Sequence, residues 1–411
     1  MPDHTNSVSV TFLGTAAGRP CPTRNVSSLA IKLDKAIWVV DAGEGTQHQF
    51  MKSQLKMGNV TKIFVTHMHG DHINGLTGLL CTISAGEGSA LPGVEDPRLA
   101  MPPSSPPTEI YGPSGLRSFL RHNLRLTYSI LSRPYVVHEL LFHGEEEDNT
   151  LPHHPSEMEG RNVRQDEEGF WRVFESANGF IMDAGPVLHT VPCIGYVFNE
   201  SPRTLPLVPS LYLPSLLRPV NAAALLASGI RDPRSLLSTL TRSQSPITLA
   251  DGTILTPPPL GPPGRKLVVL GDTYDASLIG PLSLDADLLI HECTNAFLPE
   301  EDESQQKVGV TQETVSATAR DHGHSTTVEV GEFAKSIRAR RVVVNHLSVK
   351  YPEPGEEFEG EEVKEKEARL RKRACLDAIA RKVGESWGGG VAVVARDFLC
   401  LEVSKKAAGA L

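Results

Sequence analysis

The sequence predicts a layered α/β protein, and two observations carry that prediction. First, four apolar, β-branched runs of strand length each end on a polar side chain: IFVTH (63–67), LVVLGD (267–272), LLIHE (288–292) and VVVNH (342–346). Runs of this kind read as buried strands rather than amphipathic helices. Second, stretches of helical periodicity accompany them, and layered α/β folds gather functional groups where strands end.

The helices are read as follows. Residues 325–338 open with Ser325 and Thr326, and Glu329 completes a capping box with Thr326. Val330, Phe333, Ala334 and Ile337 then follow with helical spacing. Residues 361–383 place Leu376, Ile379, Ala380 and Val383 on one face, while Glu365–Arg369 and Glu367–Arg371 pair at i,i+4. A third helix is expected over 114–122.

The 411 residues, 40% hydrophobic and 22% charged, have the composition of an ordinary globular enzyme. We read residues 1–411 as one domain with three insertions. Residues 86–108 are rich in Gly, Pro and Ser. Residues 144–170 hold nine acids and two arginines, so −7 of the net charge of −9 resides there and only −2 elsewhere. Such a charge block reads as a solvated loop, and it leaves room for a basic nucleic-acid face. Residues 200–264 carry five arginines, three acids and no lysine, a net of +2, and read as a projecting arm.

MPDHTNSVSV shows neither the basic start nor the apolar stretch of a secretory leader. No apolar run approaches the ~18 residues of a membrane span. Cysteines at 21, 81, 193, 293, 375 and 400 form no CxxC pair, as expected of free thiols in a reducing, intracellular compartment, cytoplasmic or nuclear.

The densest chemical signal is VTHMHGDH (65–72), with three histidines and an aspartate within six residues directly after an apolar run. Imidazole suits zinc and similar ions. A mononuclear tetrahedral site needs only three or four ligands. Four from one loop, with others from distant strand ends, exceed one ion and favour a two-metal hydrolase. His153 and His154 lack partners at metal-site spacing and read as loop residues.

HMHGDH and its surroundings resemble the metallo-β-lactamase fold family and, within it, the short form of the tRNase Z family of tRNA 3′-processing endonucleases. TFLGTAAGRPCPTRNVSS (11–28), VVDAGEGTQHQF (39–50), IYGPSGLRSFL (110–120), VLHTVPCIGY (187–196), LGDTYD (270–275), HECTN (291–295), HGHST (322–326) and NHLSVKY (345–351) follow in the family's order. The resemblance implies a four-layer αββα sandwich with an inserted arm at 200–264. It implies one metal on His67, His69, His189 and Asp272, and a second on Asp71, His72, Asp272 and His346. Five of these seven side chains are imidazoles, so two zinc ions per chain are expected, with manganese as the alternative. Asp71 would orient or deprotonate the attacking water. His324 would donate a proton or contact phosphate, with Glu292 as its orienting partner. The position of His324 just before the predicted helix also favours an anion. Arg24 and Lys350 are further phosphate contacts on this reading.

The implied reaction is hydrolysis of precursor tRNA after the discriminator nucleotide, leaving a 3′-hydroxyl on the tRNA, by a homodimer with no membrane partner. The fold alone leaves open a phosphodiesterase acting on a small molecule or another RNA. A non-catalytic RNA-binding paralogue would be expected to lack part of the ligand set. A di-iron redox protein would be expected to carry glutamate where His69 stands.

Overall fold

The computed structural model describes residues 5–84, 106–147, 150–176, 179–357 and 361–405. One sheet runs from edge to edge as Cys400–Glu402, Val8–Gly14, Ser28–Leu33, Ala36–Val40, Val60–Phe64, Thr108–Pro113, Tyr135–Leu141 and Glu157–Met158, with Asn162–Arg164 also against Tyr135–Leu141. The other runs Val393–Val394, Val342–Asn345, Leu288–Glu292, Lys266–Val269, Cys193–Glu200, Phe180–Val187 and Trp171–Glu175. Each sheet has a parallel half: from Ala36–Val40 onward in the first, and from Val393–Val394 to Lys266–Val269 in the second.

Strand alternation fixes the layers, because successive side chains point to opposite faces. Phe12, Ile31, Trp38 and Phe64 of the first sheet meet Phe180, Tyr196, Phe198, Val269 and Ile290 of the second. Trp38 is packed by Phe64, Phe174, Phe180 and Phe198 with ring centroids 5.7–5.9 Å away. The alternate residues Leu13, Ile37, Val39 and Ile63 turn outward beneath the helices Leu76–Ile83 and Leu116–Leu126. On the other side, Val268, Leu289, Val342 and Val344 lie beneath Thr327–Ser336 and Val363–Trp387. The result is the four-layer αββα sandwich.

The expected strands are present, and three of them leave the ladder before their polar ends. They span Val60–Phe64, Lys266–Val269 and Val342–Asn345, whereas Leu288–Glu292 runs its full expected length. The early exits have a cause. Thr66 N–H, for example, donates to the Asp41 carboxylate at 2.8 Å instead of to a neighbouring strand. The helix expected over 325–338 spans Thr327–Ser336, capped reciprocally by Thr326 and Glu329. The other two helices span Val363–Trp387 and Leu116–Leu126.

The reading of 144–170 as a solvated loop needs correction. Glu157–Met158 and Asn162–Arg164 pair with Tyr135–Leu141 and extend the sheet. The Glu157 carboxylate is buried and takes two hydrogen bonds from Arg121, at 2.7 and 2.8 Å. An ion pair at a sheet edge thus holds an acidic stretch that composition alone assigns to solvent. Residues 86–105 of the first insertion lie outside the described residues.

The arm folds as a small unit of its own. Three helices, Pro209–Leu216, Pro219–Ala227 and Ser235–Ser243, and the hairpin Ile247–Thr248/Ile254–Leu255 enclose Leu216, Leu236, Leu240, Leu249 and Leu255. Its two ends are clamped together. Arg265 donates to both oxygens of Glu200, at 2.7 and 2.9 Å, and both residues are buried. Removing one partner of a buried pair strands the other charge. Glu200→Ala is therefore expected to cost about 3–5 kcal/mol in urea unfolding. Burial opposes ionisation of Glu200, but the Arg265 hydrogen bonds hold its carboxyl below the usual range. This stability is present above the unfolded carboxylate value of ~4.3 and is lost as pH falls through the lower folded value. The variant should accordingly lose less stability on acidification than the parent chain.

Candidate metal centre

The site lies where the parallel halves of both sheets end. The turn after Val60–Phe64 carries His67, His69, Asp71 and His72, and the turns after Lys266–Val269 and Val342–Asn345 carry Asp272 and His346. His189 follows Phe180–Val187. Close backbone packing holds the His67–His72 turn in place. A Cβ at Gly43 would come within 2.2 Å of the Asp71 carbonyl oxygen, and one at Gly75 within 2.0 Å of the Gly43 carbonyl oxygen. Only glycine fits at these approaches, which gives the GEGTQ motif a steric meaning.

Two donor groups converge around Asp272. His67, His69, His189 and Asp272 present one ligand atom each within 4.8 Å of one another, and so do Asp71, His72 and His346. His67 Nε2 and His189 Nε2 lie 3.1 and 3.2 Å from His69 Nδ1. His72 Nε2 and His346 Nε2 are 3.2 Å apart. Asp272 Oδ2 stands between the groups, 3.7 Å from His67 Nε2, 3.4 Å from His72 Nε2 and 3.3 Å from His346 Nε2. The inner wall of His67, His72, Asp272 and His346 is buried, while His69, Asp71, His189 and His324 form a partly exposed rim.

The outer nitrogens show which way the lone pairs point. His72 Nδ1 faces the Asp41 carboxylate at 2.7 Å. His67 Nδ1 meets the Thr66 hydroxyl at 3.0 Å, and that hydroxyl donates to the same Asp41 carboxylate at 2.9 Å. The other side repeats the device: His346 Nδ1 meets the Thr294 hydroxyl at 3.0 Å, itself 2.9 Å from Glu292. His189 Nδ1 donates to the Gly323 carbonyl at 2.7 Å. Each outer nitrogen thus keeps its proton, and the inner nitrogens of His67, His69 and His189 turn lone pairs toward each other. Lone pairs facing at about 3 Å repel, and a cation between them is what the geometry accommodates. The donor set therefore fits divalent metal.

Charge supports the same conclusion. Burial, together with neighbouring His72, keeps His67 well below the ordinary imidazole range, and burial also lowers His69 and His189, so all three are neutral donors. Burial alone would raise the carboxyl of Asp272, but His346 and His72 hold it well below its usual range; burial likewise opposes charge on His72, but Asp272 and Asp41 raise it well above the imidazole range, so a metal at this group would displace a proton. Two of the supporting residues adopt a left-handed backbone that non-glycine residues rarely take, Asp41 at φ 59° and His346 at φ 52°. Asp41 and Thr294 are not legible as supports in the sequence, although they stand inside the VVDAGEGTQ and HECTN stretches. Nothing in residue type distinguishes a carboxylate that holds a ligand from one that is a ligand. Because Asp41 anchors two histidines, Asp41→Asn is expected to weaken metal binding by about 10–100-fold in chelator competition.

Comparison with known proteins places this geometry. A family model described as anti-Pycsar protein Apyc1 matches residues 8–88. The zinc phosphodiesterase ELAC protein 1 of Bos taurus is 35% identical over 369 residues, covering 86% of this chain and 90% of the relative. A ribonuclease Z of Streptococcus suis is 31% identical over 350 residues, covering 84% of this chain and 90% of the relative. The chain belongs to the ribonuclease Z family. The solved structure of the short form of human tRNase Z superposes with a TM-score of 0.56 at 28% identity, covering 96% of this chain and 99% of that one. The αββα sandwich is the metallo-β-lactamase fold.

The remaining site residues of this ribonuclease Z family member divide. Glu292 and His324 adjoin the metal centre: His324 Nδ1 lies 3.3 Å from Glu292 Oε1 and 3.9 Å from Asp272 Oδ2. Glu292 also accepts from the N–H groups of Ser325 and Thr294, both at 2.8 Å, so it pins two loops as well as the ring. Asp71 accepts from Gly18 N–H at 2.7 Å and meets His346 Nε2 at 3.2 Å. Arg24 requires correction as a phosphate contact. It is 1% exposed, and its guanidinium is committed to Tyr351 O, Thr15 Oγ1, Ala395 O and Glu353. It braces the loop before the metal centre from behind. Lys350 is exposed, in a cleft of about 480 Å³ shared with Glu301, Asp302, Arg371 and Lys372. Acids are interleaved with the cations there, so the cleft offers no uninterrupted track for RNA. His154 is buried, and its Nδ1 accepts from Ser156 N–H at 3.2 Å, an internal role.

Proposed function

We propose that this chain is a zinc-dependent endoribonuclease that removes the 3′ trailer of precursor tRNA after the discriminator nucleotide, leaving a 3′-hydroxyl on the tRNA. The observation that carries the reading is the pair of donor groups sharing Asp272 beside the His324–Glu292 pair. His67, His69, His189 and Asp272 would hold one metal, and Asp71, His72, Asp272 and His346 the second. With five imidazoles among seven ligands, zinc is the expected ion and manganese the alternative. When bound, the metals supply water activation near neutral pH and offset charge on the phosphoryl oxygens.

The protein's own side chains do the rest. Asp71, held by Gly18 N–H, orients the attacking water at the open rim. The leaving 3′-oxygen needs a proton. Burial opposes a charge on His324, but the hydrogen bond and charge of Glu292 raise its pKa above the ordinary imidazole value, so it holds a proton to give. Glu292 keeps Nδ1 occupied, which turns Nε2 toward the reacting oxygen.

Substrate grip on this reading is divided. The arm at 200–264 reaches for the body of the tRNA; Arg218 pairs with Asp251 at 2.8 Å and Arg203 with Glu200 at 3.9 Å, which leaves the exposed Arg231, Arg234 and Arg242 for phosphate. Arm and sandwich therefore hold RNA with a modest salt dependence for its size. Among the described residues no helix is long and apolar enough to cross a membrane. The cysteines at 21, 81, 193, 293, 375 and 400 are free thiols, in keeping with a reducing, intracellular compartment. A homodimer completes the proposal and is checked by sedimentation.

The deciding experiment incubates the purified protein with precursor tRNA bearing a 3′ trailer, with and without chelator. A chelator-sensitive cut directly after the discriminator is expected. Absence of that cut would sink the reading, and turnover of a small phosphodiester alone would point to the phosphodiesterase alternative.

A further inference from the structure

We propose that Tyr274 and Arg320 form a stacking platform for the RNA base next to the scissile phosphate, an inference that rests on the endonuclease reading above. The Arg320 guanidinium lies over the Tyr274 ring, 4.8 Å from its centroid. Three links place the pair on the flank of the metal centre. Tyr274 stands two residues beyond Asp272, and its N–H donates at 3.0 Å to the carbonyl of Leu188, the neighbour of His189. Arg320 lies in the helix Gln312–Asp321, and its carbonyl accepts at 2.8 Å from the N–H of Gly323, whose own carbonyl holds His189. The Ser325 hydroxyl donates to the Thr273 carbonyl at 2.5 Å, joining the loop of His324 to the turn of Tyr274. Three site residues, His189, Asp272 and His324, therefore border the pair.

Packing does not require this arrangement. Arg320 is exposed and Tyr274 only half-buried. Among the described residues no carboxylate pairs with the Arg320 guanidinium. A planar cation fixed on an aromatic ring presents a flat surface that carries positive charge. Single-stranded RNA is recognised on such surfaces, by stacking of unpaired bases on aromatic rings and guanidinium planes. Arginine serves better than lysine because its plane stacks while its charge attracts the flanking phosphate. The platform would orient the strand at the cut and add a contact beside the metal centre to the grip of the arm.

The test measures kcat/KM on intact precursor tRNA and on two versions made abasic, one on each side of the cut. Arg320→Ala and Tyr274→Ala are expected to lower kcat/KM about tenfold on intact RNA, within the range for loss of one stacked base. Arg320→Lys, which keeps charge and loses the plane, should behave as Arg320→Ala, and Tyr274→Phe should stay near the parent. On the RNA that lacks the stacked base the penalties should shrink to under about twofold, since the interaction is already gone. Metal content and thermal midpoint are followed throughout, and the Arg320 variants carry the test if Tyr274→Ala unfolds. An Arg320→Ala enzyme within about twofold of the parent on intact RNA would overturn the platform. So would an equal penalty on intact and both abasic substrates, or full activity of Arg320→Lys. If the parent chain cuts no precursor tRNA, the endonuclease reading falls and the platform with it. Parental cleavage with an unchanged penalty overturns the platform alone.

Discussion

Replacing Asp272 with asparagine is expected to remove metal from both donor groups and to lower cleavage by roughly a thousandfold or more. The reason is positional. Its Oδ2 approaches donors of both groups, at 3.3–3.7 Å from His67, His72 and His346. A carboxylate can bridge two cations, whereas an amide brings neither the charge nor a second equivalent oxygen. Loss of a single donor aimed at developing charge already costs about 10²–10³ in rate, and here the lost group stands between both donor groups. Metal analysis after gel filtration gives the readout independently of activity. The same variant also tests the metal count. If each group bound its ion independently, one equivalent would remain at the three-histidine group of His67, His69 and His189. Retention of both equivalents would show that Asp272 is not shared.

Much of this centre is legible in the sequence, for a physical reason. Metal ligands are chosen by residue type, and so histidine and aspartate stand out at the ends of apolar runs. Leu288–Glu292 and the capping box of Thr326 and Glu329 are legible for a similar reason, since strand burial and cap hydrogen bonds are local. Arg24 shows where such reading stops. Near the site in sequence, it resembles a phosphate contact, but Thr15 and three acceptors from two distant parts of the chain claim its guanidinium. The acidic stretch at 144–170 misleads in the opposite sense, because the partner that buries Glu157 is Arg121, thirty-six residues earlier. Asp41 and Thr294 are invisible as supports for the same cause: their function lies in which hydroxyl or imidazole the fold brings to them. Tertiary partners, not residue types, decide these cases.

His324→Ala is expected to lower kcat by about 10²–10⁴, the range for loss of a positioned proton donor, while metal content stays at the parental level. Metal content is decisive because the geometry admits a rival role. Asp272, His324 and His346 also bring ligand atoms within 4.8 Å of one another, so His324 competes on distance alone for a place as a ligand. Its surroundings favour the donor role. Nδ1 is engaged by Glu292 at 3.3 Å, and the ring stands 5.3 Å from that of His189 and 5.5 Å from that of His346, at the rim rather than the buried wall. A precursor carrying a 3′-bridging sulfur at the cut separates the roles chemically, because a thiolate departs without a proton. His324→Ala should regain most of its lost rate on that substrate, whereas a variant that has lost metal should not. Glu292→Gln should fall between the two, keeping the ring in place while removing the charge that holds its proton. If His324→Ala loses metal, His324 is a ligand; if it keeps metal and sulfur fails to rescue it, His324 is a phosphate contact, and in either case the proton for the 3′-oxygen comes from elsewhere.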